Sequence, residues 1–404
     1  MAPYESDDTT TAAGPEEPGT GRRRAARYVV PVTVMGVAAA TIGLVPAIAD
    51  SGDPDLPKIT AEQLVQKIAE SDVDRLSGTV KITTDLGLPD LGGLEDGIVS
   101  GAAGRGEGGS SADPSSKLTE LASGTHTLRV ATDGPERQKV SLLEDAAEYS
   151  LIHNGKDVWG YDSASNEVYH ATVDETAGKP EHQPPATPKD FAEEALKSVD
   201  DTTSVTVDGT AQVAGRDAYK LVLEPRQSGS TVGAISIAVD HETGMPLKFT
   251  LTPASGGAAV VDVGFTKVSF DRPAASTFDF TPPKGAEVTE DGELDHGREH
   301  SGKPENAPKS EEDLAKGLDG LKMLGEGWNS VATFDTGGAG LPAGEAGGDL
   351  GGFLGSLGDQ VKGEFGSGTV FSTRLVNALI TEDGKVYVGT VTKDALVKAA
   401  NQGK

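Results

Sequence analysis

The stretch AEYSLIHNGKDVWGYD, residues 147–162, decides the fold of this chain. Apolar and polar residues alternate on both sides of Asn154-Gly155, which is typical of two antiparallel strands joined by a tight turn. A second pair of alternating segments, 125–132 and 136–143, lies just before it. The sequence therefore predicts consecutive hairpins, which assemble most simply into an antiparallel sheet.

Outward from this stretch, the same alternation continues along the chain. One strand is predicted at 76–84, and a later run of strands at 203–208, 210–214, 217–224, 232–240, 246–252 and 258–270. Two helices interrupt the strands: Ile59–Val73, with Thr60 and Gln63 as a capping box, and Lys189–Val199. The expected fold class is α+β, a large curved antiparallel sheet with helices on its concave face.

The composition excludes several functional classes. Among 404 residues, Lys and Arg number 35 and Asp and Glu 63, which gives a net charge of −28. Nucleic acid is not an expected partner, because phosphate recognition needs a basic surface. The chain has no cysteine, so disulfides, thiolate metal sites and lipid attachment to cysteine are excluded.

An apolar run near the start predicts export. Four arginines precede an uncharged segment at 28–49, long enough to cross a bilayer as a helix. Because cations mark the cytoplasmic side, residues 1–27 are predicted to be a disordered cytoplasmic tail. Ala47 and Ala49 also fit a signal-peptidase site. Two alternatives follow: a single-pass membrane protein with an extracytoplasmic domain, or a protein secreted after signal cleavage.

Two Gly-rich stretches break the pattern, at 87–124 and 335–368. The first interrupts two strands that should pair, and its scattered apolar residues suggest a lid over a bound ligand. A hydrophilic linker is predicted at 284–309, followed by a small C-terminal αβ unit at 310–401. Its expected elements are a helix from Ser310 to Leu324, strands at 327–334, 369–380 and 385–391, and a closing helix at 393–400.

No motif indicates catalysis. The sequence His296-Gly-Arg-Glu-His300 matches a zinc-protease pattern, but it lies in the linker without the apolar face of a stable helix. The Gly-x-Gly-x-x-Gly match at 104–109 has no strand before it and no helix after it. We therefore predict no enzyme, no catalytic residue, no metal and no cofactor.

Five segments in order resemble the LolA/LolB/RseB superfamily. They are LSGTV at 76–80, the hairpin at 149–171, GTAQVAGRDAYKLVLEP at 209–225, VDHETGMPLKF at 239–249 and FTKVSFDRPAASTFDFTPPKG at 265–285. The resemblance covers about 58–290, which includes the region predicted as the main domain, 58–283, with 87–124 as an insertion. It implies an incomplete barrel, in which a long sheet wraps around helices and leaves an apolar cavity.

The resemblance implies two functions. One is a membrane-associated, LolA-like protein whose cavity binds lipid acyl chains or a lipoprotein. The alternative is an RseB-like envelope-stress regulator that binds an anti-sigma factor or another membrane partner. The side chains expected to line the cavity alternate along four strands, with two aromatic rings two residues apart on the last. These candidates are Val80, Ile82, Leu128, Val130, Val140, Leu142, Trp159 and Tyr161.

Overall fold

A computed structural model of the protein describes residues 53–87, 110–114, 117, 121, 123–172, 187–290, 322–335 and 358–403. The tail expected at 1–27 and the apolar segment expected at 28–49 lie outside these ranges. Within them, no helix is both long and apolar enough to cross a membrane. This described part of the chain contains two sheets and three α-helices.

The elements are numbered in chain order. The helices are α1 (Ala61–Ala69), α2 (Pro188–Lys197) and α3 (Lys393–Gln402). The first sheet contains β1 (Arg75–Thr84), β2 (Gly124–Asp133), β3 (Arg137–Leu143), β4 (Glu148–Asn154), β5 (Asp157–Asp162), β6 (Glu167–Thr172), β7 (Thr203–Val213), β8 (Arg216–Pro225), β9 (Val232–Asp240), β10 (Pro246–Pro253), β11 (Val261–Ser269) and β12 (Glu287–Glu290). The second contains β13 (Lys322–Leu324), β14 (Val331–Asp335), β15 (Asp359–Gly363), β16 (Gly366–Ser372), β17 (Asn377–Thr381) and β18 (Lys385–Gly389).

The first sheet is open and almost wholly antiparallel. Its order is β12-β6-β5-β4-β3-β2-β1-β11-β10-β9-β8-β7. Only β12 and β6 run parallel among these described strands. The two outermost strands, β12 and β7, do not pair with each other, so this sheet does not close into a barrel. The predicted fold class, a large antiparallel sheet with few helices, is confirmed.

Strand β1 joins two meanders, one on each of its sides. It pairs with β2 along its whole length and with β11 on the other side. The strands β2 to β6 follow one another on one side, and β7 to β11 on the other. The centre of the sheet therefore combines the earliest strand of the chain with one that comes much later, since Ser77 pairs with Ser269.

The predicted hairpin between β4 and β5 forms, but its turn lies one residue later than predicted. Asn154 pairs with Asp157, so the two-residue loop is Gly155 and Lys156 rather than Asn154 and Gly155. Gly155 has a φ of 66°, a conformation that glycine adopts without the steric cost of a Cβ atom. The turn therefore fixes which residues of the two strands face the same side of the sheet.

Helices α1 and α2 cover one face of the sheet, which we call the inner face. Leu64 and Ile68 of α1 pack against an apolar cluster on β8, β9 and β10, and the ring of Phe191 in α2 lies 5.2 Å from that of Phe249. The predicted capping box of Thr60 and Gln63 is present. Helix α1 ends at Ala69, earlier than predicted, since Ser71 and Asp72 favour turns over helix interiors.

The opposite, outer face is crossed by residues 270–286, which we call the strap. The strap leaves the centre of the sheet after β11 and ends where β12 joins β6 at the edge. Phe278 is fully buried, and the ring centroid of Phe280 lies 5.6 Å from those of Trp159 and Tyr161. Both faces of the sheet thus carry apolar packing.

The second sheet has the order β13-β14-β18-β17-β16-β15 and packs against α3. Its core includes the fully buried Leu379 and Leu396. Contacts join it to the first sheet. Arg374 donates to the carboxylate of Asp85 at 2.6 Å, and Ser230 forms an isolated antiparallel β-bridge with Val391. The C-terminal unit is therefore αβ in character.

Several predicted elements of the C-terminal unit are wrong in detail. Residues 322–324, expected to end a helix, form strand β13, while 310–321 lie outside the described residues. The segment 369–380 is two strands, because Thr373 accepts from and donates to Val376 in a tight turn. Residues 327–329 form a 3₁₀ turn before β14, and β15 lies within the stretch expected as a loop at 335–368.

Two corrections apply to the first sheet. The strands predicted at 203–208 and 210–214 are one strand, β7, because Gly209, with a φ of 74°, lies in a bulge between Val207 and Thr210 rather than in a turn. Residues 287–290, expected as linker, form β12 because the strap brings them beside the exposed edge of β6.

Candidate functional site

Six of the eight predicted cavity residues lie together on the inner face. Residues paired across an antiparallel sheet share a face, and the pairing runs from Val80 to Leu128 to Leu142. The neighbouring row pairs Val130 with Val140. These residues belong to one apolar cluster with Met245 and Phe265, and Ile82 belongs to it as well. The structure thus brings them into a continuous apolar wall.

Trp159 and Tyr161 do not join this wall, and the prediction that they face the same side as the helices is wrong. Trp159 pairs with Ile152, whereas the intervening Gly160 pairs with Leu151 of the inner face. Because side chains alternate along a strand, both rings point to the outer face. The strap explains this placement, since Phe280 packs on both rings.

The inner face at β4, β5 and β6 is covered by part of the Gly-rich insertion. Residues 110–113, which we call the seal segment, lie over Gly160. Ala112 is fully buried, and its carbonyl oxygen accepts a hydrogen bond of 3.1 Å from the hydroxyl of Tyr149. A Cβ atom at position 160 would collide with that carbonyl oxygen. Glycine at 160 therefore allows the seal segment to approach the sheet.

A carboxylate at the start of β6 holds the seal segment. One oxygen of Glu167 accepts from the hydroxyl of Ser110 at 2.9 Å, from the backbone N–H of Ser111 at 2.7 Å and from its hydroxyl at 3.0 Å. The bonds from Ser110 and then Ser111 lower the pKa of Glu167. The carboxylate is thus charged at neutral pH, and its hydrogen bonds are of the stronger, charge-assisted kind.

The Tyr149 hydroxyl stays a donor. Burial is the main cause that raises its pKa, and the nearby carboxylates of Asp113 and Asp162 add to it. On the same side, the ammonium group of Lys117 lies 2.9 Å from Glu144 and 3.5 Å from Asp162. Polar contacts around the buried Ala112 therefore attach this part of the Gly-rich insertion to the sheet.

This arrangement suits binding of an apolar ligand. An aliphatic wall continues from beneath the helices to Leu151, and a short hydrogen-bonded segment rather than a helix closes its end. Within the described residues, no three His, Asp or Glu side chains come together as metal ligands do. The zinc-protease pattern at 296–300 lies outside the described residues.

Sequence reasoning missed the residues that hold the seal segment. Ser110, Ser111 and Glu167 carry no motif, and the serines are separated from the glutamate by more than 50 residues. One signal was present: Gly160 lies between Trp159 and Tyr161 in a strand. A glycine inside a strand often marks the close approach of another backbone.

A histidine links the edge strand β12 to the sheet. The Nδ1 atom of His170 lies 2.7 Å from Glu290 and its Nε2 atom 3.0 Å from Asp157. Its ring stacks on Trp159, with centroids 3.8 Å apart. Partial burial alone would lower the pKa of His170, but the hydrogen bonds with the two carboxylates outweigh it, so this pKa is raised.

This contact predicts a pH dependence. Because the pKa of His170 is higher in the folded state, its stabilisation is complete below the unfolded value, about 6.5. It is lost as the pH rises through the higher folded pKa. Replacing His170 with glutamine should therefore lower the melting temperature more at about pH 5.5 than at about pH 8.5. The effect should be about 1 kcal/mol or less, because both carboxylates are half exposed. Equal losses at both pH values would contradict it.

The chain is similar to known proteins at the level of solved structures. No protein-family model matches the chain, and no curated protein matches it in sequence. The MucA–MucB complex of Pseudomonas aeruginosa matches at 15% identity and a TM-score of 0.38, over 84% of this chain and 96% of that one.

Two shorter structures match about half of this chain. An uncharacterised conserved protein from Thermus thermophilus has 13% identity and a TM-score of 0.31, over 57% of this chain and 99% of that one. A LolA superfamily protein from Nitrosomonas europaea has 13% identity and a TM-score of 0.21, over 55% and 99%. All three matches combine low identity with a TM-score below 0.5, so they carry no information on function.

Proposed function

We propose that this protein binds the apolar chain of a lipid or lipoprotein against the inner face of its sheet, beneath the seal segment, outside the cytoplasm. One observation carries the proposal. The apolar wall from Val80 to Leu151 is closed by a segment of a long insertion, which is attached by polar contacts to Tyr149 and Glu167. Such a closure can open without unpacking α1 or α2.

The energetics favour this use of the wall. Each methylene group that leaves water contributes about 0.8 kcal/mol, so burial of about ten methylene groups supplies the roughly 8 kcal/mol that corresponds to micromolar affinity. Opening the seal segment breaks hydrogen bonds that water replaces, at a net cost of about 1 kcal/mol each. A ligand can thus exchange with the seal segment at this end of the wall.

Binding of a fluorescent fatty acid to the full chain tests the proposal. Leu151, half-buried on the inner face beside Gly160, is the informative position. Its replacement with glutamine should weaken fatty-acid binding about tenfold, because the wall loses an apolar side chain worth about 1.5 kcal/mol or more. Trp159 on the outer face provides the matched control, and its replacement with alanine should leave the affinity unchanged.

Two results would count against the proposal. One is the absence of saturable fatty-acid binding by the unmodified chain. The other is a reversed pattern, in which Trp159→Ala weakens binding and a folded Leu151→Gln variant does not. Circular dichroism of both variants establishes that they are folded.

The proposed location rests on the sequence before residue 50. The arginines and the apolar segment at 28–49 favour a single-pass anchor, or a cleaved signal, with residues 53–404 outside the membrane. In either case the binding face would meet lipids or lipoproteins from the extracytoplasmic side. No enzymatic step and no cofactor enter this proposal.

A second candidate is regulation of a membrane protein through the C-terminal unit. Its specific support is strand β13 at the edge of the second sheet, where the side chain of Met323 is 62% exposed. An edge strand with an exposed apolar residue can accept a partner strand. A purely regulatory role predicts that the fatty-acid assay described above gives no saturable signal.

A further inference from the structure

The outer face carries a depression that the proposed function does not use. It has a volume of about 470 Å³ and lies over β1, β2, β3 and β11, beside the 3₁₀ turn of the strap at Ala275–Thr277. Three of its lining residues are cations, Arg129, Lys139 and Lys267, and one is an acid, Glu148. The lining is therefore positive in a protein whose net charge is −28.

The strand register holds these cations together. Thr79 of β1 pairs with Arg129 on one side and with Lys267 on the other. Lys139 is the diagonal neighbour of Arg129, because Arg129 pairs with Ser141. Arg129 therefore lies within roughly 10 Å of each lysine, whereas Lys139 and Lys267 are separated by three strand spacings, about 15 Å. Cations gathered on one face repel one another, and an anion held between them lowers that repulsion.

Acidic side chains of the protein neutralise little of this positive charge. Arg129 lies 3.6 Å from Glu148. Within the part of the chain that the structure describes, Lys139 and Lys267 form no ion pair, and the hydroxyls of Ser77 and Thr79 form no hydrogen bond. The Thr277 hydroxyl, in the strap, is equally without a partner among these residues. Several donors from four strands and the strap thus face one open volume.

We infer that this depression binds a phosphate group. A phosphate presents oxygens in several directions, which suits cations and hydroxyl donors that rise from four strands of one sheet face and from the strap beside them. The depression has room for the organic part of a phosphate ester beside the group itself. The site lies on the face opposite the apolar wall, so it is independent of acyl-chain binding. The phosphate can be inorganic or part of a lipid headgroup.

Two probes distinguish these sources: inorganic phosphate, followed by calorimetry, and vesicles of phosphatidylglycerol in phosphatidylcholine, followed by sedimentation. The full chain is compared with a double variant, Lys139→Gln with Lys267→Gln. The matched control is Lys322→Gln with Lys362→Gln, on the second sheet, which changes the net charge equally. We expect the first double variant to bind at least one probe about tenfold more weakly, and the control to bind as the unmodified chain does.

Each outcome decides the inference. If only the first double variant loses phosphate binding, and the control does not, the result supports a phosphate site. If only the first double variant loses vesicle binding, the result supports a headgroup site. Equal loss in both double variants would mean that net charge, not the depression, attracts the anion, and would overturn the inference. Failure of the unmodified chain to bind either probe would overturn it as well. Leu151→Gln should leave phosphate binding unchanged. Failure of the proposed acyl-chain binding can therefore be told apart from failure of the phosphate site.

Discussion

Replacement of Gly160 with alanine is expected to detach the seal segment and to speed release of a bound fatty acid about tenfold or more. The added Cβ would collide with the carbonyl oxygen of Ala112 and come within 3.0 Å of the Tyr149 hydroxyl. Loss of that hydrogen bond and of those to Glu167 removes several bonds worth about 1 kcal/mol each, and about 1.4 kcal/mol corresponds to a factor of ten. Stopped-flow displacement of the fluorescent fatty acid measures the release rate.

A second strand glycine provides the control for this variant. A Cβ at Gly264 would meet only the flexible side chain of Lys248, at 3.2 Å. Gly264→Ala should therefore leave the release rate unchanged. If Gly160→Ala unfolds the sheet instead, the pair Ser110→Ala and Ser111→Ala removes two hydrogen bonds to Glu167 without altering a strand. Unchanged release in both folded variants would show that the seal segment does not gate the ligand.

Replacement of Asp240 with alanine is expected to lower the free energy of unfolding by about 3–5 kcal/mol. Asp240 is fully buried at the end of β9. It accepts bonds from Arg216 Nε at 2.5 Å and Nη2 at 3.1 Å, and from the N–H and hydroxyl of Thr243, both at 2.8 Å. The alanine variant would leave the Thr243 corner without its acceptor, and the guanidinium of Arg216 with only the exposed carboxylate of Glu242.

The neighbouring Glu242 tests whether burial is the cause. Its carboxylate also lies 2.7 Å from Arg216, but its side chain is 63% exposed. Glu242→Ala should therefore cost less than about 1 kcal/mol. Urea unfolding of both variants measures the difference. Comparable losses in the two variants would contradict the assignment of Asp240 as the buried centre of this corner.

The pH dependence of this contribution has a definite sign. Burial alone would raise the pKa of Asp240, but the hydrogen bonds from Arg216 and Thr243 outweigh it, so the pKa is lowered. A lowered folded pKa stabilises the protein above the unfolded value, about 3.9. That stabilisation is lost as the pH falls through the folded pKa.

Local sequence signals predicted most of the strands correctly. The Asn154-Gly155 turn and the alternation around it depend on neighbouring residues only, and the same is true of the Thr60 capping box. The predicted secondary structure was wrong where a segment distant in sequence determines whether a strand forms. Residues 287–290 carry no strand signal of their own, and they become β12 because the strap delivers them to the edge of β6.

The candidate site was predicted correctly only where local alternation decides which face a residue occupies. Alternation placed Val80, Leu128 and Val130 on one face, because each strand there has a single apolar side. At β5 both sides are covered, by the seal segment and by the strap. Aromatic residues then no longer identify the inner face, and only the register shows that Gly160 occupies it.

The position of β1 between two meanders has a consequence for folding while the chain is synthesised. The chain emerges from its N-terminal end, so β1 and the strands β2 to β6 become available long before β11. Until residue 269 has emerged, β1 presents an unpaired edge with alternating apolar side chains, which can pair with other chains. Sheets whose central pairing joins distant segments also fold slowly. The growing chain must therefore stay unaggregated until its middle strand receives its second neighbour.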